Sequence, residues 1–315
     1  MITVTRAPPY LTVQDGGRRH SRASGVPQGG ATDSFALRAA NALAGNHFDA
    51  AGLEWALGGG SIKFEQDAVF SFGGAKANAT LSGRATAPFT TIYAQSGEEL
   101  TVEQISSGRF LYLAVRGGID VPMVLGSRST YLPGRFGGYL GRTLKHGDSL
   151  ALGPRPSHVP ADGFHCGADL LPRYETGIVH VTRGTRADLF DEAAWRTLTE
   201  SEYRVSVASD RTGYKLEGAA LANRAGSLPS EAGCPGSIQV PGEGFPIVLM
   251  ADAPTVGGYP KIAVVAEADL PIIAQRSPGE TIRFELITIE QSQRALKRRA
   301  SDLQTITQLA IRSSR

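Results

Sequence analysis

Four glycine-flanked segments concentrate the residues whose types and spacing could do chemistry. In the segment 249–261, an apolar run delivers Asp252, Pro254 and the pair Gly257-Gly258 follow, and Lys261 opens the next apolar run. A carboxylate and an ammonium at the two ends of one tight connection can meet at the mouth of a barrel. There they could orient a polar substrate, or move a proton where burial shifts a pKa. The same spacing also serves a structural ion pair. The segment 209–216 holds Asp210 and Arg211 beside Gly213. The segment 116–138 holds Arg116, Arg128 and Arg135, whose forked guanidiniums suit carboxylate or phosphate. Pairing with local surface acids is the competing use. The segment 13–33 is rich in glycine and ends on Asp33, where a helix start would offer N–H groups to an anion. Asp33 is equally a good helix cap. Four such segments in one chain favour a shared small-molecule site.

Several chemistries are absent from the pattern. There is no Gly-x-x-x-x-Gly-Lys-Ser/Thr phosphate loop and no Gly-x-Ser-x-Gly elbow. His158, His165 and Cys166 do not match a zinc spacing. No Met-Lys-Met biotin attachment sequence occurs, so no covalent biotin is expected on this chain. The two cysteines, Cys166 and Cys234, are expected as free thiols in a cytoplasmic protein. A net charge of +2 argues against nucleic acid as a partner. No apolar run reaches the roughly 20 residues of a membrane span, and the N-terminus reads as a strand, not a signal peptide.

The elements that must position these residues are short. The 315 residues include 38 glycines and 18 prolines, which means many turns. Runs of β-branched and aromatic residues predict strands at 2–4, 69–72, 89–93, 100–102 and 110–115. Further runs predict strands at 178–181, 203–207, 238–240, 247–250, 262–265 and 282–287. Helical spacing is confined to 33–44, 188–198 and a C-terminal stretch in which Leu296, Ala300, Leu303, Ile306 and Ala310 share a face. The breaker-rich stretch 147–169 divides the chain into two strand-rich halves, which argues for β-barrel or sandwich lobes.

Longer phrases resemble a known family. They are Val13-Gln14-Asp15, Gly25-Val26-Pro27, Leu53-Glu54, Ala114-Val115-Arg116-Gly117-Gly118-Ile119-Asp120, Ser209-Asp210-Arg211, Gly236-Ser237-Ile238-Gln239-Val240-Pro241 and Gly257-Gly258-Tyr259-Pro260-Lys261. The chain is similar over about residues 1–290 to the KipA-type family, that of the 5-oxoprolinase C subunit. The family is also called allophanate hydrolase subunit 2-like or biotin-dependent carboxyltransferase-like. Gly16, Thr32, Thr212 and Ala253-Pro254 depart from residues common in it.

The resemblance implies a mainly β fold: two cyclophilin-like β-barrel subdomains at 1–155 and 165–290, a few short helices, and a C-terminal helix or tail at 291–315. It implies work with two further 5-oxoprolinase chains, the KipI-like B subunit and the A subunit. Together they would open 5-oxoproline to glutamate, with ATP and Mg2+ used by the assembled complex. On that chemistry Asp252 and Lys261 are the expected catalytic pair positioning the amide. Arg211 or Arg128 would hold the substrate carboxylate, with Asp210, Tyr259, Gly257 and Gly258 completing the substrate site. Two alternatives are a biotin-dependent carboxyltransferase component acting on urea or another amide, and a regulatory protein that binds a KipI-like kinase inhibitor.

Overall fold

A computed structural model describes residues 1–224 and 228–314. Most of the described regular structure is strand, in line with the mainly β expectation. The chain divides into two units. One comprises Met1–Arg19, Gly29–Leu171 and the chain from Ser301 onward; the other comprises His20–Gln28 and Pro172–Ala300.

The first unit is built on a ten-stranded sheet that wraps into a nearly closed barrel. Two long antiparallel strands, Ala68–Leu81 and Glu99–Val115, form its frame. Their register shifts between Gly74 and Ala79, and such bulges bend a sheet enough to wrap it. The enclosed core includes Trp55, Phe64, Phe70, Leu113 and Val4, with Phe64 stacked on Phe70 at 4.8 Å between ring centres. Helix α1 (Ser34–Leu43) starts where the sequence predicts: Asp33 Oδ1 accepts from Ala36 N at 2.9 Å. It stops at Gly45, whose φ of +75° needs no Cβ. Its Phe35, Leu37 and Leu43 pack with Leu303 and Ile306 in one cluster.

The strands Tyr10–Gln14, Gly52–Ala56 and Gly60–Phe64 escaped the sequence reading. The reason is physical. Thr12, Gln14, Glu54 and Ser61 are polar yet buried in them, which breaks the apolar pattern. The expected strand at 89–93 begins later, at Ile92, because Phe89 turns into the left-handed region at φ +50°. Its ring covers Gly73, where any Cβ would lie 2.3 Å from it.

The second unit is a closed barrel. Its strands run around the wall in the order Ile178–Arg183, Lys261–Val265, Ser237–Gln239, Ile247–Leu249, Gly213–Glu217, Glu202–Val205 and Thr281–Leu286. The last pairs in parallel with the first, so the sheet has no open edge. Val181, Tyr203, Tyr214, Ile238, Val248 and Phe284 belong to its core. Helix α2 (Glu192–Glu200), capped by Asp191, buries Trp195 and Leu198. Helix α3 (Leu270–Ala274) is too short to show periodicity in the sequence. Helix α4 (Ile289–Ser313) buries only Leu303, Ile306 and Ala310 of its expected face; Leu296 is 39% exposed.

Candidate active site

In the second barrel the strand register sets the charges. Gly213 pairs with Leu249, and just beyond them Asp252 N donates to Arg211 O at 2.8 Å. That places Arg211 and Asp252 opposite one another. The guanidinium grips the carboxylate through two bonds, Nε to Oδ2 and Nη2 to Oδ1, both 2.9 Å. Both residues are buried.

Lys261 is also buried and belongs to a different cluster. Its Nζ donates to the Ala232 carbonyl at 2.6 Å and to the Glu231 carboxylate at 3.0 Å. Glu231 sits on a two-residue strand, Glu231–Ala232, paired with Val256–Gly257. It also accepts from Thr185 Oγ1 at 2.9 Å and from Arg186 Nε. Asp252 and Lys261, expected together, therefore bond to different partners. One ion pair holds each end of the 252–261 connection. Between them Tyr259 is 52% exposed, and Gly258 is exposed too. Gly257 packs on Gln239, whose Nε2 would lie 2.8 Å from a Cβ there. Asp210 is a turn former: its Oδ1 accepts from Thr212 N at 2.8 Å and Gly213 N at 3.3 Å.

The Lys261 bond above all, then the Thr185 bond, pulls the Glu231 carboxyl down to about 2 against an ordinary value of 4.5. A depressed carboxylate stabilises the fold above its unfolded pKa and loses that contribution as pH falls through its folded one. The advantage of wild type over Glu231→Gln in urea unfolding is thus expected to be full above pH 4.5 and to shrink as pH drops toward 2. An advantage that stays constant over that fall would contradict it.

Arg128 belongs to the first unit. Its loop is pinned by Asp15. Oδ1 of Asp15 accepts from Ser127 Oγ and Ser129 Oγ at 2.6 Å each and from Gly17 N at 2.8 Å; Oδ2 accepts from Arg128 N at 2.6 Å. Gly137 and Gly138 close behind this loop. Cβ atoms there would lie 2.1 Å from Ser129 O and 1.9 Å from Thr130 Oγ1. The Arg128 side chain bonds Asp120 at 3.0 Å, with the two side chains 35% and 50% exposed. Its Nε has no partner among the described residues.

Three N–H groups around the start of α1 already have acceptors. Thr32 N donates to Glu54 at 2.7 Å, Asp33 N to Tyr112 Oη at 2.8 Å, and Ala36 N to Asp33. Burial, then the charges of Glu54 and Asp33, push the Tyr112 hydroxyl well above its ordinary pKa. Gly16 also finds its reason: a Cβ would sit 2.6 Å from Asp49 Oδ1, a carboxylate that Arg19 and Arg38 hold.

Glu231 and the pairing of Lys261 were not legible beforehand. Glu231 lies in a stretch without periodicity, and only the pairing with Val256–Gly257 brings it to Lys261. Among the described residues, no group of three or more His, Cys, Asp or Glu side chains is placed to hold a metal. Burial above all pushes the Cys166 thiol up to about 12, so it is a poor nucleophile. No helix is long and apolar enough to cross a membrane among the described residues.

The architecture is thus two strand-built units, one a closed barrel and one nearly so, with buried carboxylates in their loops. Residues 24–286 match the family model for the carboxyltransferase domain, subdomain A and B, and the chain belongs to that family. It is 40% identical to the C subunit of 5-oxoprolinase from Escherichia coli (strain K12), across 99% of this chain and 98% of that one. It is 33% identical to the C subunit of 5-oxoprolinase from Haemophilus influenzae, across 93% of each. The crystal structure of the Kluyveromyces lactis urea carboxylase superposes with a TM-score of 0.89 at 31% identity, covering 99% of this chain and 29% of that one.

Proposed function

We propose that this chain is the C subunit of an ATP-dependent 5-oxoprolinase, working with the KipI-like B subunit and the A subunit to open 5-oxoproline to glutamate. The observation that carries this reading is the 40% identity to a 5-oxoprolinase C subunit over essentially the whole of both chains. The chemistry is amide activation. The γ-phosphoryl group of ATP passes to the lactam oxygen and ADP leaves. Water adds at that carbon, the C–N bond breaks and the nitrogen takes a proton. A second water then releases phosphate from the new side-chain carboxyl.

On this reading the ion pairs of Asp252 and Lys261 hold the 252–261 connection in shape, with Tyr259 and Gly258 exposed between them. Arg211 is committed to Asp252. Arg128 is the freer cation, because an exposed pair such as its bond to Asp120 is worth only about 0–1 kcal/mol. It can exchange Asp120 for a substrate carboxylate. Among the described residues no three or more His, Cys, Asp or Glu side chains cluster to hold a metal, and on this reading Mg2+ arrives with the nucleotide.

The test is ADP release by the three co-purified proteins given 5-oxoproline, urea or acetamide. Stimulation by 5-oxoproline alone is expected. No additional ADP with 5-oxoproline would sink the reading. The structural match to urea carboxylase favours a second one, a carboxyltransferase component acting on urea or another amide with biotin carried by a different chain. Transfer of labelled bicarbonate to an amide would select it.

A further inference from the structure

A cleft of about 470 Å3 opens in the first unit, walled in part by Ala68, Val69, Tyr93, Arg116 and Arg155. It has no part in the reading above. Two of its three arginines, Arg116 and Arg155, lack carboxylate partners among the described residues. Arg116 donates through Nη2 to the carbonyls of Pro156 and His158, the latter at 3.3 Å. Arg155 donates to the Asp67 carbonyl at 2.7 Å, and the Gln66 carboxamide oxygen, oriented to accept, lies 3.0 Å away. All four acceptors are neutral. The Arg116 Nε is buried and has no partner among the described residues. Burial first, and then the charge of Arg155, hold the Arg116 guanidinium below its ordinary pKa.

The three acids of the cleft each keep their charge and accept a backbone N–H, with no bond to Arg116 or Arg155 among the described residues. Asp67 accepts from Ser96 N at 2.9 Å, Asp162 from Tyr93 N at 2.9 Å, and Glu98 from Gln95 N at 2.7 Å. Arg84 faces Glu98 at 4.0 Å. What remains is a pair of mutually repelling guanidiniums at one wall, with Ala68, Val69 and Tyr93 beside them.

We propose that this cleft binds the phosphate group of a small molecule, held between the Arg116 and Arg155 guanidiniums. Counted over the Arg116 and Arg155 guanidiniums alone, which no carboxylate reaches within ion-pair distance among the described residues, charge favours phosphate over carboxylate. A phosphate monoester carries about −1.5 to −2 at pH 7, which matches two guanidiniums, whereas a carboxylate leaves one uncompensated. Guanidiniums also meet phosphate oxygens through paired N–H bonds. Tyr93, 39% exposed, and the aliphatic wall would cover the organic part.

Calorimetric titration of the full chain at low salt, with inorganic phosphate, glycerol phosphate and acetate as probes, tests this. Both phosphates are expected to bind, and acetate about tenfold more weakly or worse. Arg155 is exposed, so Arg155→Gln should fold normally, as circular dichroism would report, and weaken phosphate binding by about tenfold. Arg116→Lys, which keeps charge and loses the fork, should weaken it as well. Glycerol phosphate binding more tightly than inorganic phosphate supports a phosphorylated metabolite; equal affinities support free phosphate in the same cradle. The proposal is overturned if wild type takes up no phosphate by about 10 mM, if Arg155→Gln binds as wild type does, or if acetate matches phosphate.

Discussion

Replacing Asp252 with alanine is expected to destabilise the protein by about 3–5 kcal/mol, because it strips the buried Arg211 guanidinium of the carboxylate it grips through two bonds. The pair closes through two 2.9 Å bonds, so Asp252→Asn, which keeps shape but not charge, should also lose much of that stability. A double variant, Arg211→Met with Asp252→Leu, should recover most of it, since a packed apolar pair avoids the desolvation of two ions. Urea unfolding reads all three. The two tryptophans help: Trp55 lies in the first unit and Trp195 in the second, both buried, so their fluorescence reports on each. If Asp252→Ala costs less than about 1 kcal/mol, the pair is not structural, and Asp252 regains its claim to act directly on the substrate.

The second large effect is at Asp15. Alanine there strips partners from the Ser127 and Ser129 hydroxyls and from the Gly17 and Arg128 amides. Hydroxyls can rotate toward other acceptors, but backbone amides cannot. A hydrogen bond to a charged group is worth about 1.5–3 kcal/mol, so the loss should reach about 3 kcal/mol or more. The cost should also appear in function. Arg128 N is one of the stranded amides, so the loop that carries the proposed carboxylate cation loosens. In the assembled complex, Asp15→Ala should raise KM for 5-oxoproline more than it lowers kcat, measured at a temperature where the variant is folded. Unchanged KM would remove Arg128 from the substrate site.

Much of the architecture was legible from composition and spacing. Eleven short apolar runs bounded by breakers implied strands, and most correspond to strands in the two units. Asp33 implied the start of α1, and it caps that helix. Strands escaped where buried polar residues serve the fold, as with Thr12, Gln14 and Glu54. Thr12 pairs across strands with Glu54, and Glu54 receives the Tyr112 hydroxyl at 2.7 Å. A polar residue inside a strand reads as solvent-facing until its partner, here 58 residues away, is in view.

The candidate site divides the same way. The sequence alone determined which residues carry charge, where glycines let chain segments approach, and, through its long phrases, the family. Tertiary structure alone decided the pairing. Asp252 and Lys261 are nine positions apart, and local spacing invited a bond between them. Barrel closure instead sets Arg211, 41 residues away, opposite Asp252, and the ribbon of Glu231–Ala232 and Val256–Gly257 carries a carboxylate to Lys261. The physical reason is burial. A charge removed from water must take the partner that the strand register places within hydrogen-bond reach. Register is a property of the closed sheet, not of neighbouring residues.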